Sequence, residues 1–262
     1  MANLVRQPPA IRFTFDWRRY RVSIASDEVA RASAYRLRHE VFCVELLGRT
    51  LPGGEERDAF DDQCDHVLVH DLASDELIGT CRVNRGGDHD RFYSAGEFDL
   101  SGLLAQDGVK LEVGRTCLRR DHRNNLGLLA LGRGFGRYAG LAGATWFFGC
   151  ASVAGDDVAR AARLCAWFRA NGVCAGSFGA LPHRDHVLAG LEAAVAALHA
   201  GVVDAASVDE ALPPLLRAYL RAGAALSAAP AHDPDFACVD FLTVIDLRVA
   251  GDNAFLGRLA PC

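Results

Sequence analysis

The sequence predicts an α/β protein in which a mixed central sheet is flanked by helices. Segments with alternating or continuous apolar residues, typical of strands, alternate along the chain with segments whose apolar residues recur every three or four positions, typical of helices. In addition, two early strands, 66–72 and 77–84, are separated only by residues 73–76, which predicts a hairpin.

The other elements follow from the same periodicities. Asp27 is a suitable N-cap for a helix that runs to about Leu47, and Arg38 and Phe42 project together from this helix at i, i+4. We expect residues 1–17 to form a loosely held arm and residues 48–62 a polar loop. Further strands are predicted at 20–25, 110–119, 145–153 and 236–249, and further helices at 126–144, 156–171, 187–200 and 208–226.

The chain shows no composition break that would mark two independent domains. We therefore expect residues 1–262 to form a single domain, with a helical insertion at 173–227 before the last strands.

The composition is that of a soluble globular protein: half of the 262 residues are apolar and 23% are charged. The net charge of -5 argues against a dedicated nucleic-acid binder, which usually carries a basic excess. Of the 28 basic residues, only Lys110 is a lysine. Nearly every positive charge is therefore a guanidinium, which suits bidentate contacts with carboxylates or phosphates.

The nine cysteines and the lack of membrane signals favour a cytoplasmic protein. The cysteine number is odd and no CxxC pair occurs, so we expect reduced thiols rather than disulfides or a zinc site. No run of 18 apolar residues occurs, and the N-terminal segment lacks the apolar stretch of a signal peptide.

Four short motifs follow one another at matching positions of the predicted elements. They are Arg38-His-Glu-Val-Phe42, Asp62-Gln-Cys-Asp65, Gly79-Thr-Cys-Arg82 and Glu112-Val-Gly-Arg115. In this order they resemble the acyl-homoserine-lactone synthases, a branch of the GNAT acyltransferase fold. Three further segments, 92–100, 148–152 and 212–224, resemble the ornithine-lipid N-acyltransferases.

The resemblance covers roughly residues 30–248 and implies both a fold and a reaction. The implied fold is GNAT-like, with a bulge in the strand that carries Glu112. The implied reaction moves a 3-hydroxyacyl group from acyl carrier protein to the α-amine of ornithine, with no tightly bound cofactor. The amphiphilic product would give the protein a reason for peripheral contact with the inner membrane.

Glu112 is the candidate general base of this reaction, because an attacking amine must lose a proton. An ordinary salt bridge at a sheet edge is the alternative for this residue. Phe42 is a further substrate-binding candidate, which could line an acyl tunnel or belong to the core. The other substrate-binding candidates are Arg38, Asp62, Asp65, Arg82 and Arg115, which together with Glu112 could hold a zwitterionic amino acid if they converge. Their charges could equally pin the first helix and loop 48–62 to the sheet, and both roles can coexist.

A basic segment follows the Glu112 strand, and an acidic carrier protein could dock there. Its candidate donor-binding residues are Arg119, Arg120, Arg123 and Gly127. The segment 123–130 has one residue more than the usual GNAT pyrophosphate loop and lacks its second glycine, which disfavours acetyl-CoA and suits the single phosphodiester of a carrier protein. A solvated turn is the alternative.

The sequence leaves other functions open. His183 and His186 have metal-like spacing, but no third ligand lies near them in sequence, so we predict no metal site. The alternatives to the ornithine reaction are an acyl-homoserine-lactone synthase, an N-acyl amino acid synthase that uses another amine such as glycine, and a catalytically silent module that binds acyl carrier protein.

Overall fold

The structure is a computed structural model that describes residues 11–86, 91–198, 208 and 212–250. The described strands are β1 Thr14–Trp17, β2 Tyr20–Ile24, β3 Asp65–Asp71, β4 Leu77–Arg85, β5 Val109–Leu118, β6 Ala144–Ala154, β7 Ala225–Leu226, β8 Ala231–Asp233 and β9 Cys238–Asp246. The described helices are α1 Glu28–Arg38, α2 Ser101–Leu104, α3 Asn125–Ala142, α4 Val158–Ala170, α5 Leu191–Ala197, α6 Pro214–Arg221 and α7 Leu247–Ala250.

The chain divides into two compact units. The first holds the described residues up to Phe92 together with Val109–Thr145, and the second holds Tyr93–Gly108 and the described residues from Trp146 onward.

The first unit is an antiparallel sheet with a helix on each face. Strands β1 to β5 pair in chain order, each antiparallel to the next. Helices α1 and α3 both pack on β3, β4 and β5. On β3, Val67 lies against Gly134 of α3, whereas the adjacent Leu68 packs with Ala34 of α1. Because successive strand residues point to opposite faces, the two helices cover opposite sides of the sheet.

The first helix begins as predicted and changes its winding halfway. Asp27 is the N-cap, and its carboxylate accepts a hydrogen bond from the backbone N–H of Ala30 at 2.9 Å. After Arg38 the helix continues as a π-helical segment, His39–Leu46. The predicted length of this helical segment is thus confirmed. Its π-helical second half could not be predicted from the spacing of the apolar residues. Such segments are frequent at functional sites.

The bulge that the resemblance implied in β5 is present. Thr80 of β4 pairs with Cys117 and Arg82 pairs with Gly114, so Cys81 alone faces both Arg115 and Thr116. Arg115 has a φ of 50°, in the left-handed region. This extra residue reverses the alternation of side chains in the second half of β5.

The second unit is built on the long antiparallel pair of β6 and β9, from Trp146↔Asp246 to Ala154↔Cys238. Strands β7 and β8 also pair with β9. Helix α4 packs here through Phe168, whose ring lies edge-on to Phe241 at 5.3 Å between centroids.

Three predictions about elements need correction. The arm predicted at 1–17 contains β1, because Phe13, Phe15 and Trp17 alternate with polar residues and form a strand edge. Residues 247–249 are helical rather than extended. The helices predicted at 187–200 and 208–226 are shorter, Leu191–Ala197 and Pro214–Arg221, and residues 199–207 and 209–211 lie outside the described part.

Gly134 sets how closely α3 approaches the sheet, which gives a direct test of the packing. A Cβ at this position would lie 2.6 Å from a Val67 methyl and 2.8 Å from a Val22 methyl. We expect Gly134→Ala to lower the free energy of unfolding by about 1–3 kcal/mol through overpacking. Gly140 lies in the same helix with nothing within 4 Å of its Cβ position. Gly140→Ala should therefore raise the free energy of unfolding by about 1 kcal/mol, and urea denaturation of both variants checks the opposite signs.

Candidate active site

Six charged side chains of the first unit form a closed ring of alternating sign, which we call the charge ring. The three arginines come from α1, β4 and β5, and the three acids all come from the loop segment 56–61. In order around the ring the members are Arg38, Glu56, Arg115, Asp58, Arg82 and Asp61. The loop is thereby fastened to one helix and two strands.

Arg38 is the most enclosed member, with no exposed surface at all. Its Nε donates to Glu56 at 2.5 Å, and its two terminal nitrogens donate to both oxygens of Asp61 at 2.7 and 3.1 Å. All three polar groups of the guanidinium are thus bound by carboxylates, in the fork geometry that makes arginine suitable for burial.

Arg82 and Arg115 close the ring through Asp58. Arg82 Nη1 donates to Asp58 at 2.6 Å and also reaches Asp61 at 3.3 Å. Arg115 donates to Asp58 through Nη2 and to Glu56 through Nε, both at 3.1 Å. The bulge makes this possible, because it turns Arg115 toward the sheet face from which Arg82 projects.

Burial and pairing act in opposite directions on the acids of the ring. Burial by itself would raise the pKa of Asp61, but the hydrogen bonds and charges of Arg38 and Arg82 more than offset it and lower this pKa to about 2. The pKa of Asp58 is also lowered, since Arg82 and Arg115 outweigh its desolvation. Asp58 and Asp61 are therefore both ionised at neutral pH, beside the guanidinium groups of the ring.

Glu112 lies on β5 two residues before Gly114, which is the cross-strand partner of Arg82. Residues two apart share a face, so Glu112 projects on the same side of the sheet as Arg82. It is 5% exposed. Its cross-strand partner Asn84 places an amide nitrogen 3.5 Å from Oε2. Glu112 thus places a buried carboxylate on the sheet face from which Arg82 of the charge ring projects.

The structure brings together the three predicted arginines but not the two predicted aspartates. Asp62 is largely exposed and pairs with Arg57, while Asp65 lies on the α3 face, where it accepts from Tyr138 at 2.7 Å and contacts Arg12. The ring instead uses Asp58 and Asp61. The expected convergence of Asp62 and Asp65 with the three arginines is thus not seen, because the path of the loop turns Asp58 and Asp61 toward them instead.

Phe42 and His66 line the surroundings of the ring without joining it. Phe42 is half-buried and packs on the cluster of Leu37, Val41 and Cys117. His66 is buried, its Nε2 lies 3.8 Å from Asp61, and its ring is edge-on to Tyr35 at 5.3 Å. Burial lowers the pKa of His66 to about 4, and the Asp61 charge only partly opposes this, so the imidazole is neutral at pH 7.

The basic segment after β5 is largely neutralised by nearby acids. Arg119 donates to Asp121 and Glu76, and Arg123 binds both oxygens of Glu45. Arg120 differs, because its side chain is 85% exposed and approaches Glu45 only to 3.8 Å. Of the three predicted docking arginines, it is the one available to a partner.

Gly127 has a clear packing role. A Cβ there would lie 2.3 Å from the carbonyl oxygen of His122, which only glycine permits. The N–H groups of Leu126 and Gly127 both donate to the side chain of Asn124, the N-cap of α3. A donor phosphate at this helix start would have to share or displace that cap.

The second unit contains an acidic cluster that no sequence motif indicates. Ligand atoms of Glu97, Cys150 and Asp240 lie within 4.8 Å of one another, as do those of Asp233, Cys238 and Asp240. Burial, and after it the negative charge of the neighbouring Asp240, raise the pKa of Glu97. His183 and His186 bind separate backbone carbonyls, of Ala95 and His232, at 3.0 Å each.

Comparison with known proteins decides the family. The family model described as "Acetyltransferase (GNAT) domain" matches residues 37–133, which include the charge ring and Glu112. An L-ornithine N(α)-acyltransferase of Agrobacterium fabrum is 30% identical over 87% of this chain and 81% of its own length. This chain belongs to the L-ornithine N(α)-acyltransferase family. A second member of the family, from Brucella abortus, is 29% identical over 87% of this chain and 84% of its own length.

Membership of this family makes the chain an acyltransferase. Among solved structures, an N-acyl amino acid synthase from uncultured soil microbes covers 93% of this chain and 99% of its own, with a TM-score of 0.52 at 10% identity. The predicted α/β, GNAT-like fold is thereby confirmed. None of the helices in the described ranges has the length and apolar character needed to cross a bilayer.

The central position of Asp61 in the charge ring leads to a matched pair of variants. Asp61→Asn removes one charge from a fully buried network and leaves Arg38 and Arg82 undercompensated, so we expect the free energy of unfolding to fall by about 3–5 kcal/mol. The neighbouring Asp62 is exposed, so Asp62→Asn should change the free energy of unfolding by less than about 0.5 kcal/mol. Denaturant unfolding checks both. Equal effects of the two substitutions would refute the assignment of Asp61 rather than Asp62 to the ring.

Proposed function

We propose that this chain transfers a (3-hydroxy)acyl group from acyl carrier protein to the α-amine of ornithine, which yields a lyso-ornithine lipid. The observation that carries the proposal is the 30% identity with the Agrobacterium fabrum enzyme over 81% of that enzyme's length. Enzymes of that name act on ornithine, and the carrier-protein donor is the finer part of the proposal. The buried Glu112 beside the charge ring supplies a group suited to the chemistry.

The proposed reaction needs one base and one site for a developing oxyanion. The neutral α-amine attacks the thioester carbonyl, the C–N bond forms, and the oxygen takes up negative charge. Glu112 accepts the proton that the amine loses, directly or through one water. Collapse of the intermediate breaks the C–S bond and releases the phosphopantetheine thiol, which takes a proton. No tightly bound cofactor enters these steps.

The bulge at Arg115 and Thr116 is our candidate source of the hydrogen-bond donor for the oxyanion. A bulge leaves one residue out of regular strand pairing, and its N–H becomes available to a ligand. This bulge begins three residues after Glu112 on the same strand. We therefore assign the base and the oxyanion donor to two ends of one short segment of β5.

The role that we propose for the charge ring is to hold this segment in place. Arg38 has no exposed surface and is fully bound by Glu56 and Asp61, so it does not contact a substrate without opening the ring. Arg115 is 12% exposed at its side chain and belongs to β5 itself. Among the arginines of the ring, Arg115 is our candidate for contact with the substrate carboxylate, and Arg38 and Arg82 position it.

Product mass tests the reaction and the base together. We expect the purified chain, 3-hydroxyacyl carrier protein and ornithine to give the mass of acyl-ornithine. Glu112→Gln should lower kcat by about 10²–10⁴-fold, because the amine proton loses its acceptor. The exposed Glu40 provides the control, since Glu40→Gln removes a carboxylate from the same unit and should leave kcat unchanged.

Other products would identify other enzymes. A lactone from S-adenosylmethionine would make the chain a signal synthase, and acyl-glycine would make it a synthase for a different amine. If Glu112→Gln keeps full kcat while remaining folded, the assignment of the base is wrong even where ornithine is the acceptor.

Arg120 is our candidate for the contact with acyl carrier protein. Carrier proteins are acidic, and Arg120 is the basic side chain of its segment that is open to solvent. We expect Arg120→Glu to raise KM for acyl carrier protein by about tenfold, as reversal of one exposed charge contact would, with kcat little changed. Acyl-pantetheine lacks the protein partner, so its KM should not change. A parallel change for both donors would contradict docking at Arg120.

A further inference from the structure

One edge of the first unit combines aromatic side chains with arginines. Every second residue from 13 to 17 is aromatic: Phe13 just before β1, and Phe15 and Trp17 within it. These three side chains therefore project on one face, and all three are half-buried. The rings of Phe13 and Phe15 lie 5.8 Å apart. We call these three residues the aromatic edge. Since β1 pairs with β2 on one side, the aromatic edge forms the margin of the described strand pairing in this unit.

Arginines surround the aromatic edge from two elements. The guanidinium of Arg18 lies 5.2 Å from the Trp17 ring and that of Arg133, on α3, lies 5.0 Å from it. Trp17 is therefore contacted by two cations. Arg137 follows Arg133 by one helical turn and so lies on the same face of α3.

Two arginines at the aromatic edge have no carboxylate partner among the described residues. Within the part of the chain that the structure describes, Arg18 and Arg137 form no ion pair, whereas Arg12, Arg19 and Arg21 each pair with an aspartate. The whole chain has a net charge of -5. A local positive excess on an acidic protein, placed beside aromatic rings, is complementary to an anionic surface with an apolar interior.

A second feature extends this surface at the tip of the neighbouring hairpin. Leu72 is 38% exposed, and its backbone N–H donates to the carbonyl of Arg19 at 2.8 Å. The turn between β3 and β4 thus lies beside the turn between β1 and β2. The exposed Leu72 and Arg18 are therefore presented by two adjacent turns, and Trp17 lies next to Arg18 at the end of β1.

We propose that the aromatic edge and its arginines form the surface by which this chain docks on a bilayer of anionic phospholipids. A Trp ring favours the level of the headgroups, and Phe rings can enter the adjacent acyl boundary. Arginine can bury its stem there while its charge meets phosphate. The docking is electrostatic and reversible, and it uses a strand edge instead of an amphipathic helix. The biological purpose of docking, which is delivery of an amphiphilic product, rests on the proposed function. Binding to the bilayer does not, because it is measured without turnover.

Sedimentation with vesicles tests the proposal on the full chain. We expect binding to vesicles of phosphatidylcholine with phosphatidylglycerol, weak binding to phosphatidylcholine alone, and loss of binding at high salt. Arg18→Gln combined with Arg137→Gln should lower the partition coefficient by about 30-fold, because each arginine near an anionic surface contributes about fivefold. The matched control is Arg163→Gln with Arg184→Gln, which removes two exposed arginines of the second unit and should leave binding unchanged.

The position of Trp17 gives an independent readout. Quenching of tryptophan fluorescence by vesicles with brominated acyl chains should occur in the wild type and fall sharply in Trp17→Phe, since Trp17 is the tryptophan of the proposed surface. Absence of binding to anionic vesicles, equal binding to neutral ones, or an equal loss in the control pair would overturn the proposal. Formation of acyl-ornithine in vesicle-free solution is scored separately, so failure of docking and failure of the proposed reaction are distinguishable.

Discussion

The first unit depends on one buried carboxylate, that of Asp61. It accepts both terminal nitrogens of Arg38 and a further contact from Arg82, while the backbone N–H of Asp58 donates to it at 2.8 Å. One side chain thus joins helix α1, strand β4 and the loop between α1 and β3. An arginine without exposed surface is tolerable only when its charge is met in this way, because an unpaired buried charge costs several kcal/mol.

The consequences of this arrangement reach β5. Glu56 and Asp58 extend the network from Arg38 and Arg82 to Arg115, and Arg115 meets them because the bulge turns it to their side. The left-handed φ of Arg115 is unfavourable for a residue with a side chain, and the two ion pairs stabilise it. The ring therefore stabilises the irregular backbone beside Glu112. Structural and catalytic roles are linked here, since the same ion pairs that fasten the loop keep the irregular part of β5 in position.

Much of this could be predicted from sequence, because the signals were local. The N-cap at Asp27, the hairpin of β3 and β4, and the arginines at 38, 82 and 115 follow from periodicity and short motifs. The choice of acids could not be predicted in the same way. Loop 48–62 is rich in acids of similar spacing, and which of them turn inward depends on the path of the loop, which no periodicity encodes. The strand β1 was missed because its alternation is short and follows a proline-containing segment.

The basic segment after β5 illustrates a second limit of sequence reasoning. Arg119, Arg120 and Arg123 look equivalent in one dimension, but Glu45 and Glu76, which neutralise two of them, come from distant positions in the chain. Net charge in a sequence window therefore overstated the positive potential that a partner would meet. Conversely, the arginines around Trp17 are scattered in sequence and gather only in the fold.

The central claim is that Glu112, held beside the charge ring, takes the proton of the acceptor amine. A crystal structure of the chain with ornithine and a non-hydrolysable acyl-pantetheine analogue tests it most directly. The account predicts the α-nitrogen within about 2.6–3.2 Å of a Glu112 oxygen, or one water away, with the charge ring closed. An α-nitrogen held remote from Glu112, or a ring opened so that Arg38 binds the substrate carboxylate, would contradict it.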